Sequence, residues 1–376
     1  MNELLLGIIG ILALPLLLFA VDVYVSLASR RKHYSFRDTH HHDFTVLVPI
    51  YGNINYLENI DYLKQYGKQV MLLTTGGETS QFYRSIRSVT KKHGFKLFIA
   101  DWQANQNPNK RATSGTIRDR LIRDSLTDVT TKYVVPLDAD SVTSQPISMA
   151  VGELVEEGAD IASVRLVPAN GDANWLTKIQ KLEYRLSMDM RFVVPWLVSG
   201  ACQIAKTDVL KNIMDRHSLF FQGNDVEIGL LAKRLGHKIV HIPFEVETNV
   251  PAKFKPWLRQ RLAWAGGEFR LFIVNFKYIL RHPFFWVYGA IIVILAFPLR
   301  YIALSGASLS LAIILALYAV LIYAMHWRNK HVWLTVMPLY TLFASLILVP
   351  LGIVWYVLMS VRDRNMGVIR PNRIKS

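Results

Sequence analysis

Five short apolar runs, each followed by a polar stretch of helical character, constrain the fold of this chain more than any other feature. The runs are FTVLVPIY (44–51), QVMLLTT (69–75), KLFIA (96–100), YVVPLDA (133–139) and IASVRLV (161–167). They are rich in β-branched residues, and helical patterns lie between them, as in βαβ units. The pattern predicts an α/β domain around a largely parallel sheet over residues 44–250. Because ligands of such sheets bind at the carboxyl ends of strands, the residues that follow each strand are the first candidates for a site.

Long apolar stretches flank this domain. Residues 4–28 are almost entirely apolar and exceed the roughly 20 residues that a membrane-spanning helix needs. Arg30, Arg31 and Lys32 follow at once. By the positive-inside rule this charge predicts an N-terminus outside the cell membrane and a cytosolic α/β domain. A cleaved signal peptide is the alternative, although its positive charge would precede the apolar run.

The C-terminal part is predicted to span the membrane as well. Phe284–Ile302 and Leu309–Met325 are two predicted spans, and the apolar run 332–360 adds a third span with a shorter piece. The net charge of +15 and the 52% of hydrophobic residues together favour an integral membrane protein over a nucleic-acid-binding protein. The predicted divisions are 1–30 (transmembrane helix), 31–43 (basic, histidine-containing linker), 44–250 (α/β domain), 251–283 (amphipathic interfacial helices), 284–361 (transmembrane helices) and 362–376 (basic cytosolic tail).

Two acids, Asp138 and Asp140, end the predicted buried strand in YVVPLDADS. Carboxylates this close repel each other unless a cation lies beside them. Mg²⁺ and Mn²⁺ prefer oxygen ligands and combine a few carboxylates with phosphate oxygens. The pair therefore favours a site for a divalent metal and a diphosphate, with a solvated turn carrying two chance acids as the alternative.

Two further segments carry candidate chemistry. Asp225 precedes an amphipathic helix in FFQGNDVEIGLLAKRLGHKI (220–239). An acid there can cap the helix or act as a general base toward an acceptor hydroxyl. The segment FKPWLRQRLAWAGGEFR (254–270) is compatible with an interfacial helix. It is equally compatible with an acceptor site, in which Trp264 packs on a sugar while Gln260 and an arginine meet a diphosphate.

The order and spacing of VLVPIYGN, LDADS, GND-E-GL and RQRLAWAGG resemble the processive family 2 glycosyltransferases. These include the hyaluronan, cellulose, chitin and poly-N-acetylglucosamine synthases. The resemblance implies a cytosolic, Rossmann-like GT-A domain inserted between transmembrane helices. It also implies a nucleotide-sugar donor, Mg²⁺ or Mn²⁺ as cofactor, and inverting, metal-dependent hexosyl transfer to a growing polysaccharide that is coupled to export.

The resemblance also implies roles for individual residues. Asp225 matches the catalytic base, and Asp138 and Asp140 match the metal ligands. The positions that match donor-binding residues are Pro49, Tyr51, Lys110, Arg111, Asp138, Asp140, Gln260 and Arg261. The positions that match the acceptor side are Ser199, Gly200, Ala201, Cys202 and Trp264. Cys202 is not a nucleophile in this scheme, and a small buried hydrophobe is its simpler interpretation.

Two positions depart from the family pattern. Thr75 stands where an acid usually ends the second strand, with Glu78 three residues on, and Ala263 stands where the arginine of the QxxRW motif falls. These departures leave open the donor nucleotide, the degree of processivity and a non-catalytic binding or transport module. A single N-terminal span with a few C-terminal spans also resembles ceramide glucosyltransferase-like enzymes, which would transfer a single sugar to a lipid acceptor. A partner in the bilayer or an oligomer could complete a polymer channel. No disulfide is expected, because Cys202 is the single cysteine.

Overall fold

The computed structural model describes Tyr24 and residues 37–104, 114–219, 223–276, 308–325 and 332–362. Within these residues, eight strands form one sheet in the order β3-β2-β1-β4-β7-β6-β8-β5. The strands are β1 (Phe44–Pro49), β2 (Val70–Thr74), β3 (Lys96–Ile99), β4 (Tyr133–Pro136), β5 (Val142–Thr143), β6 (Ile161–Pro168), β7 (Gln203–Lys206) and β8 (Ile239–Thr248). The five apolar runs form β1, β2, β3, β4 and β6, which confirms the predicted α/β core.

Helices connect the strands and make up most of the remaining described structure. Local capping explains several of their ends. Thr79 accepts a hydrogen bond from the Phe82 amide at the start of α2, and Gly94 closes that helix at φ 71°. The helices of the described residues are α1 (Ile60–Leu63), α2 (Ser80–His93), α3 (Ser114–Ser125), α4 (Ile147–Glu156), α5 (Trp175–Met190), α6 (Thr207–Met214), α7 (Asn224–Arg234), α8 (Phe254–Val274), α9 (Ser308–Met325), α10 (Met337–Phe343) and α11 (Val349–Arg362).

The parallel half of the sheet aligns the ends of three strands. β1 pairs in parallel with β2 and with β4, and β2 pairs in parallel with β3. Residues of β1, β2 and β4 are almost completely buried, which explains their continuous apolar runs. The segments that follow β1, β2 and β4 therefore emerge at the same edge of the sheet.

The other half of the sheet is mixed rather than parallel. β7 is antiparallel to β4 and to β6, β8 is parallel to β6, and β5 is antiparallel to β8. Because β7 runs opposite to β4, the segment before β7 lies beside the residues that follow β4. The bridge between Leu137 and Cys202 is the first contact of that kind.

The chain divides into two compact units. The sheet unit comprises residues 33–171, 194–250 and 359–376, and the helical unit comprises residues 1–32, 172–193 and 251–358, each as far as it is described. The sheet lies entirely within the sheet unit. In the helical unit, buried apolar side chains form two clusters, one of Leu176, Trp257 and Leu348 and one of Leu182, Ile322, Leu334 and Met337. Trp257 is therefore buried in a protein core rather than lying at an interface with lipid.

No helix in the described parts of the chain combines the length and the apolar character needed to cross a membrane. The predicted transmembrane helices flanking the α/β domain, and with them the predicted localisation as an integral membrane protein, are therefore wrong for these residues. The predicted span Leu309–Met325 falls in α9, where Ile322 is buried against Leu182 and Leu334. The predicted spans 4–28, apart from Tyr24, and 284–302 lie outside the described residues.

The final apolar run, predicted as a span with a shorter piece, does not form one continuous α-helix. It consists of a 3₁₀ segment (Val332–Val336), α10, a π segment (Ala344–Leu348) and α11. Pro350 lies at the start of α11. A proline lacks the amide donor that an α-helix requires, so the π turn just before it is a physically reasonable place for the break.

Candidate functional site

A turn after β4 carries the two strand-end acids, and neighbouring backbone holds it in place. The amide of Asp138 donates to the carbonyl oxygen of Ala201 at 2.9 Å. The side-chain amide of Asn59 donates to the carbonyl oxygens of Asp138 at 3.0 Å and Ser141 at 2.7 Å. The two acids are therefore presented by a fixed turn, next to the segment 199–202 that the sequence assigned to the acceptor side.

A basic side chain lies beside one of the two acids and relieves the repulsion between them. Arg118 on α3 donates from Nε to Oδ1 of Asp138 at 2.6 Å. Among the described residues, Asp140 has a long contact from the Ser141 hydroxyl at 3.4 Å and no such basic partner. Burial raises the pKa of Asp140 above its ordinary range, and the charges of Asp138 and Glu58 raise it further.

Arg118 uses all three edges of its guanidinium group. Besides Asp138, it donates from Nη1 to Oδ1 of Asp119 at 2.9 Å and from Nη2 to the carbonyl oxygen of Gly200. Burial alone would lower the pKa of Arg118, but the charges of Asp138, Asp119 and Asp225 outweigh burial and raise it. The side chain is 14% exposed, so this charge acts at short range inside the site.

Asp225 approaches the same segment from α7. A Cβ atom added to Gly200 would lie 3.2 Å from Oδ2 of Asp225. Asp225 occupies the first turn of α7, where the helix dipole favours a negative charge. The candidate base thus lies close to Gly200, whose carbonyl oxygen accepts from the same arginine that pairs with Asp138, and a side chain at position 200 would crowd the base.

The start of α7 is fixed by buried contacts. His217 donates from Nε2 to the carbonyl oxygen of Asn224 at 2.8 Å, and the Ser218 hydroxyl donates to Glu227 at 2.7 Å. A Cβ on Gly229 would lie 1.9 Å from the carbonyl oxygen of Trp196, so α7 lies directly against that backbone. These contacts hold the start of α7, and with it Asp225, in position.

The remaining predicted acceptor residues form the buried wall of this segment. Ser199, Ala201 and Cys202 are buried. The Ser199 hydroxyl donates to the carbonyl oxygen of Val164 at 3.4 Å. Burial raises the pKa of the Cys202 thiol to about 12, with the charge of Asp138 adding to the effect. The thiol therefore stays protonated at neutral pH, consistent with a packing role.

A glutamate that the sequence offered only as a substitute lies at the ends of β1 and β2. Glu78 accepts from the Gly52 amide at 2.9 Å and from the Thr75 hydroxyl at 2.5 Å. The predicted donor residues Pro49 and Tyr51 lie in the segment that it joins to β2. An acid is thus present where the family pattern expects one, although the residue at the strand end itself is Thr75.

Lys110 and Arg111, the predicted basic pair for the donor, lie outside the described residues.

Gln260, Arg261 and Trp264 lie together on α8 in the helical unit. The Arg261 guanidinium lies 4.2 Å from the centre of the Trp264 ring and donates from Nη1 to Oε1 of Gln260 at 2.9 Å. It also donates from Nη2 to Oε2 of Glu183 at 2.5 Å, and Tyr340 donates to the other oxygen of that carboxylate at 3.0 Å. Arg261 is therefore saturated by side chains, and the charge that the sequence assigned to a diphosphate is paired with Glu183.

Trp264 keeps one part of its surface open. Its side chain is 42% exposed, in contrast to the buried Arg261 beneath it. The Tyr184 ring lies 6.2 Å away on another side. An indole that is supported in this way by a cation and an aromatic ring is a preformed surface for stacking.

The strand-end acids fit a divalent cation that brings phosphate oxygens with it. Among the described residues, no group of three or more His, Cys, Asp or Glu side chains is arranged to hold a metal ion. Mg²⁺ in nucleotide sites commonly takes only one or two carboxylates plus substrate phosphates. Asp140, crowded by Asp138 and Glu58, has the chemistry for such a ligand, and Asp138 would have to share its carboxylate with Arg118.

Sequence reasoning missed Arg118, Asp119, Glu183 and Tyr340. A signal for the first pair was present, since an Arg-Asp pair lies within the helix that leads into the strand carrying Asp138. No local signal identifies Glu183 and Tyr340, because Arg261, the residue that both contact, lies 78 and 79 residues away from them in the sequence.

Known proteins resemble this chain over part of its length. The model of the family described as Glycosyl transferase family group 2 matches residues 133–361. An N-acetylglucosaminyltransferase of Bradyrhizobium diazoefficiens is 26% identical over 152 residues, which are 36% of this chain and 31% of that protein. An N-acetylglucosaminyltransferase of Azorhizobium caulinodans is 24% identical over 220 residues, covering 54% of this chain and 53% of that protein. The chain thus spans about a third of the first relative and about half of the second.

Solved structures show a more distant likeness. Glucosyl-3-phosphoglycerate synthase from Mycobacterium tuberculosis, solved with Mn²⁺, UDP-glucose and phosphoglyceric acid, is 16% identical, with 62% of this chain and 83% of that chain covered and a TM-score of 0.38. TarS of S. aureus is also 16% identical at a TM-score of 0.38, with 59% and 39% covered. A likeness at this level assigns no role to any residue. The family match, in contrast, runs from the strand that carries the two acids to the C-terminal helices, more than half of the chain, and the chain therefore belongs to glycosyl transferase family group 2.

Proposed function

We propose that this chain transfers a sugar from a nucleotide-sugar donor to a hydroxyl group of a saccharide acceptor, with inversion at the anomeric carbon. The observation that carries the proposal is the arrangement around Gly200. Arg118 links Asp138 to the Gly200 carbonyl, and Oδ2 of Asp225 lies 3.2 Å from the position that a Cβ atom on Gly200 would take. A diphosphate-binding acid and a base gathered near one small residue support a site in which both act on the same sugar transfer.

Asp225 acts as the general base in this mechanism. Its carboxylate takes the proton of the acceptor hydroxyl, and the freed electron pair of the oxygen forms the bond to the anomeric carbon. The bond from that carbon to the donor phosphate oxygen breaks, and the nucleoside diphosphate leaves with the electron pair. The N-terminus of α7 favours the ionised carboxylate before the proton moves.

Asp140 and Asp138 are the residues that would hold a divalent cation. A bound Mg²⁺ or Mn²⁺ neutralises charge on the departing diphosphate. The raised pKa of Asp140 supports this assignment, because a carboxyl that burial and like charges disfavour as an anion gains most from a nearby cation.

The donor that fits best is UDP-N-acetylglucosamine. The relatives named above are N-acetylglucosaminyltransferases, and Glu78 supplies an acid at the nucleotide end of the sheet. Pro49, Tyr51, Lys110 and Arg111 remain predicted donor contacts. The exposed surface of Trp264 supports a saccharide acceptor, and repeated transfer to the same acceptor would make a polysaccharide, the predicted product.

Product analysis tests the proposal directly. The full chain is incubated with Mn²⁺ and each of a panel of labelled UDP- and GDP-sugars, and release of the nucleoside diphosphate and the mass of the labelled product are measured. We expect turnover with UDP-N-acetylglucosamine and a product that grows with time when an N-acetylglucosamine oligosaccharide is supplied. A small lipid-extractable product would replace the saccharide acceptor by a lipid. No turnover with any donor, in protein shown to be folded, would refute the proposed activity.

A further inference from the structure

Arg118 has a place in the site that the proposed chemistry does not use. Its three guanidinium edges contact Asp138, Asp119 and the Gly200 carbonyl. The Asp119 carboxylate is buried and lies against one edge, so it fixes the orientation of the guanidinium plane. The two other edges face the candidate metal ligand and the backbone beside the candidate base.

The contact with Asp138 occupies a carboxylate that a divalent cation would otherwise take. Nε lies 2.6 Å from Oδ1, a short charge-assisted hydrogen bond. The Asp138 side chain is 35% exposed, so solvent, a metal ion or a phosphate can still reach it. A guanidinium is always protonated in a protein and therefore carries a full positive charge at this point.

We propose that Arg118 is a built-in counter-cation of Asp138, which keeps a free divalent cation off this carboxylate until a nucleotide diphosphate supplies further oxygen ligands. The proposal rests on the proposed function, because it takes Asp138 and Asp140 as the metal ligands. In the donor-free protein, the positive charge of Arg118 is shared between Asp119 and Asp138 and compensates part of the charge of Asp138. A divalent cation alone then meets one carboxylate and a nearby guanidinium, which is a poor site.

A diphosphate changes this balance in two ways. It adds negative oxygens to the cation, and it offers Arg118 a new anionic partner, which the planar guanidinium can bind through paired donors. Binding of the cation and binding of the nucleotide therefore favour each other, and each must strengthen the other by the same factor. The consequence is that the metal enters with the donor rather than before it.

The test compares Mn²⁺ affinities of purified full-length variants, measured from the electron paramagnetic resonance signal of free Mn²⁺ with and without UDP. Arg118→Gln removes the charge and keeps a polar side chain. Arg118→Lys keeps the charge. Arg123→Gln is the matched control, since it removes one charge from the same helix, where Arg123 bonds to Asp124 instead.

The expected result is that Arg118→Gln binds Mn²⁺ alone about tenfold more tightly than the wild type. Arg118→Lys and Arg123→Gln should stay within about twofold of the wild type. UDP should increase the Mn²⁺ affinity of the wild type strongly, and that increase should shrink about tenfold in Arg118→Gln. If Arg118→Gln does not fold, as judged by circular dichroism, Arg118→Met keeps the apolar stem and removes the same charge.

An unchanged or weaker affinity for Mn²⁺ alone in the folded charge-removing variant would overturn the inference. Failure of the proposed function gives a different pattern, because the wild type would then neither turn over a nucleotide sugar nor bind Mn²⁺ more tightly with UDP. The role of Arg118 alone would be refuted by a third pattern. In that pattern the wild type turns over a nucleotide sugar and binds Mn²⁺ more tightly with UDP, but Arg118→Gln shows no gain in Mn²⁺ affinity.

Discussion

Each of the two units has a largely buried arginine that is paired with an acid beside a candidate substrate-binding group. The two pairs differ in how far other side chains shield them from solvent. In the sheet unit, Arg118 pairs with Asp138, whose carboxyl group is 35% exposed. In the helical unit, Arg261 is 4% exposed and pairs with Glu183. Gln260, Gln180 and Tyr340 complete the partners of Arg261.

The difference indicates two uses of the same pair of charges. The Arg118 pair is open on one side, so an incoming ion or phosphate can take over either partner. The Arg261 pair is enclosed by polar side chains of three helical segments, and loss of either partner would leave a buried charge uncompensated. We therefore expect changes at the first pair to alter ligand binding and changes at the second to alter stability.

The prediction with the largest expected effect concerns catalysis beside the Arg118–Asp138 pair. Asp225→Asn should lower kcat with UDP-N-acetylglucosamine by about 10³-fold, since general-base catalysis contributes roughly 10²–10⁴-fold. The Kd for UDP should stay within about twofold, as measured by calorimetry, because the proposed role of Asp225 is toward the acceptor hydroxyl and not toward the nucleotide. Asp208→Asn, which alters an acid in the first turn of another helix, is the control and should keep full activity. Loss of UDP binding in Asp225→Asn would instead assign Asp225 to the donor.

The second prediction tests the enclosed pair. Glu183→Gln should lower the free energy of unfolding by about 3 kcal/mol in urea titrations, because it leaves the buried guanidinium of Arg261 without a counter-charge. Glu156→Gln is the matched control, since its partner Arg37 is half exposed and such surface pairs contribute about 0–1 kcal/mol. Equal stabilities of the two variants would contradict the distinction between an enclosed and an open pair.

The third prediction concerns Trp264, whose ring packs on Arg261 of the enclosed pair. Trp264→Ala should raise KM for the saccharide acceptor about tenfold, which corresponds to about 1.4 kcal/mol, because the exposed indole face is lost. The KM for the donor should change little. Trp175→Ala removes another exposed tryptophan of the helical unit and should leave both values unchanged. A rise in donor KM alone would move Trp264 to the nucleotide side.

Much of the sheet unit follows from sequence pattern, because buried parallel strands impose continuous apolar runs. β1, β2, β3, β4 and β6 were predicted in this way, and so was the importance of the residues after β4. β7 and β8 were not predicted. β7 has only four residues, and β8 alternates apolar and polar residues over its C-terminal half, so neither forms a continuous apolar run.

Partners that are distant in sequence could not be predicted. The contact of Arg118 with Gly200 spans 82 residues, and the sheet topology that creates it depends on the antiparallel insertion of β7. The predicted membrane spans were wrong for a different reason. Hydropathy measures how apolar a segment is, but it does not show whether the apolar side chains contact lipid or protein. Ile322 of α9 is buried against Leu182 and Leu334, so part of the apolar surface assigned to lipid faces protein.

The smallest expected effect returns to the two acids after β4 and separates them by the sign of a stability change. The pKa of Asp140 is raised in the folded protein by burial, by Asp138 and by Glu58. Folding therefore favours its protonated form, so its ionisation lowers stability above the ordinary value of 3.8 and has no effect where both states are protonated. Asp140→Asn should accordingly raise the free energy of unfolding of the metal-free protein by about 1 kcal/mol at pH 7, with the gain fading below that ordinary value.

Asp138→Asn should act in the opposite direction. It removes the partner of Arg118 and leaves that largely buried guanidinium with one carboxylate fewer, so we expect a loss of about 1 kcal/mol at pH 7. Both free energies come from urea titrations with a chelator present, at pH 7 and at pH 3.5. A gain for both variants would mean that the acids repel each other despite Arg118. A loss for both would mean that each acid contributes to the fold on its own. Opposite signs would show that Arg118 relieves the charge of only one acid, which leaves Asp140 as the carboxylate that most favours a divalent cation.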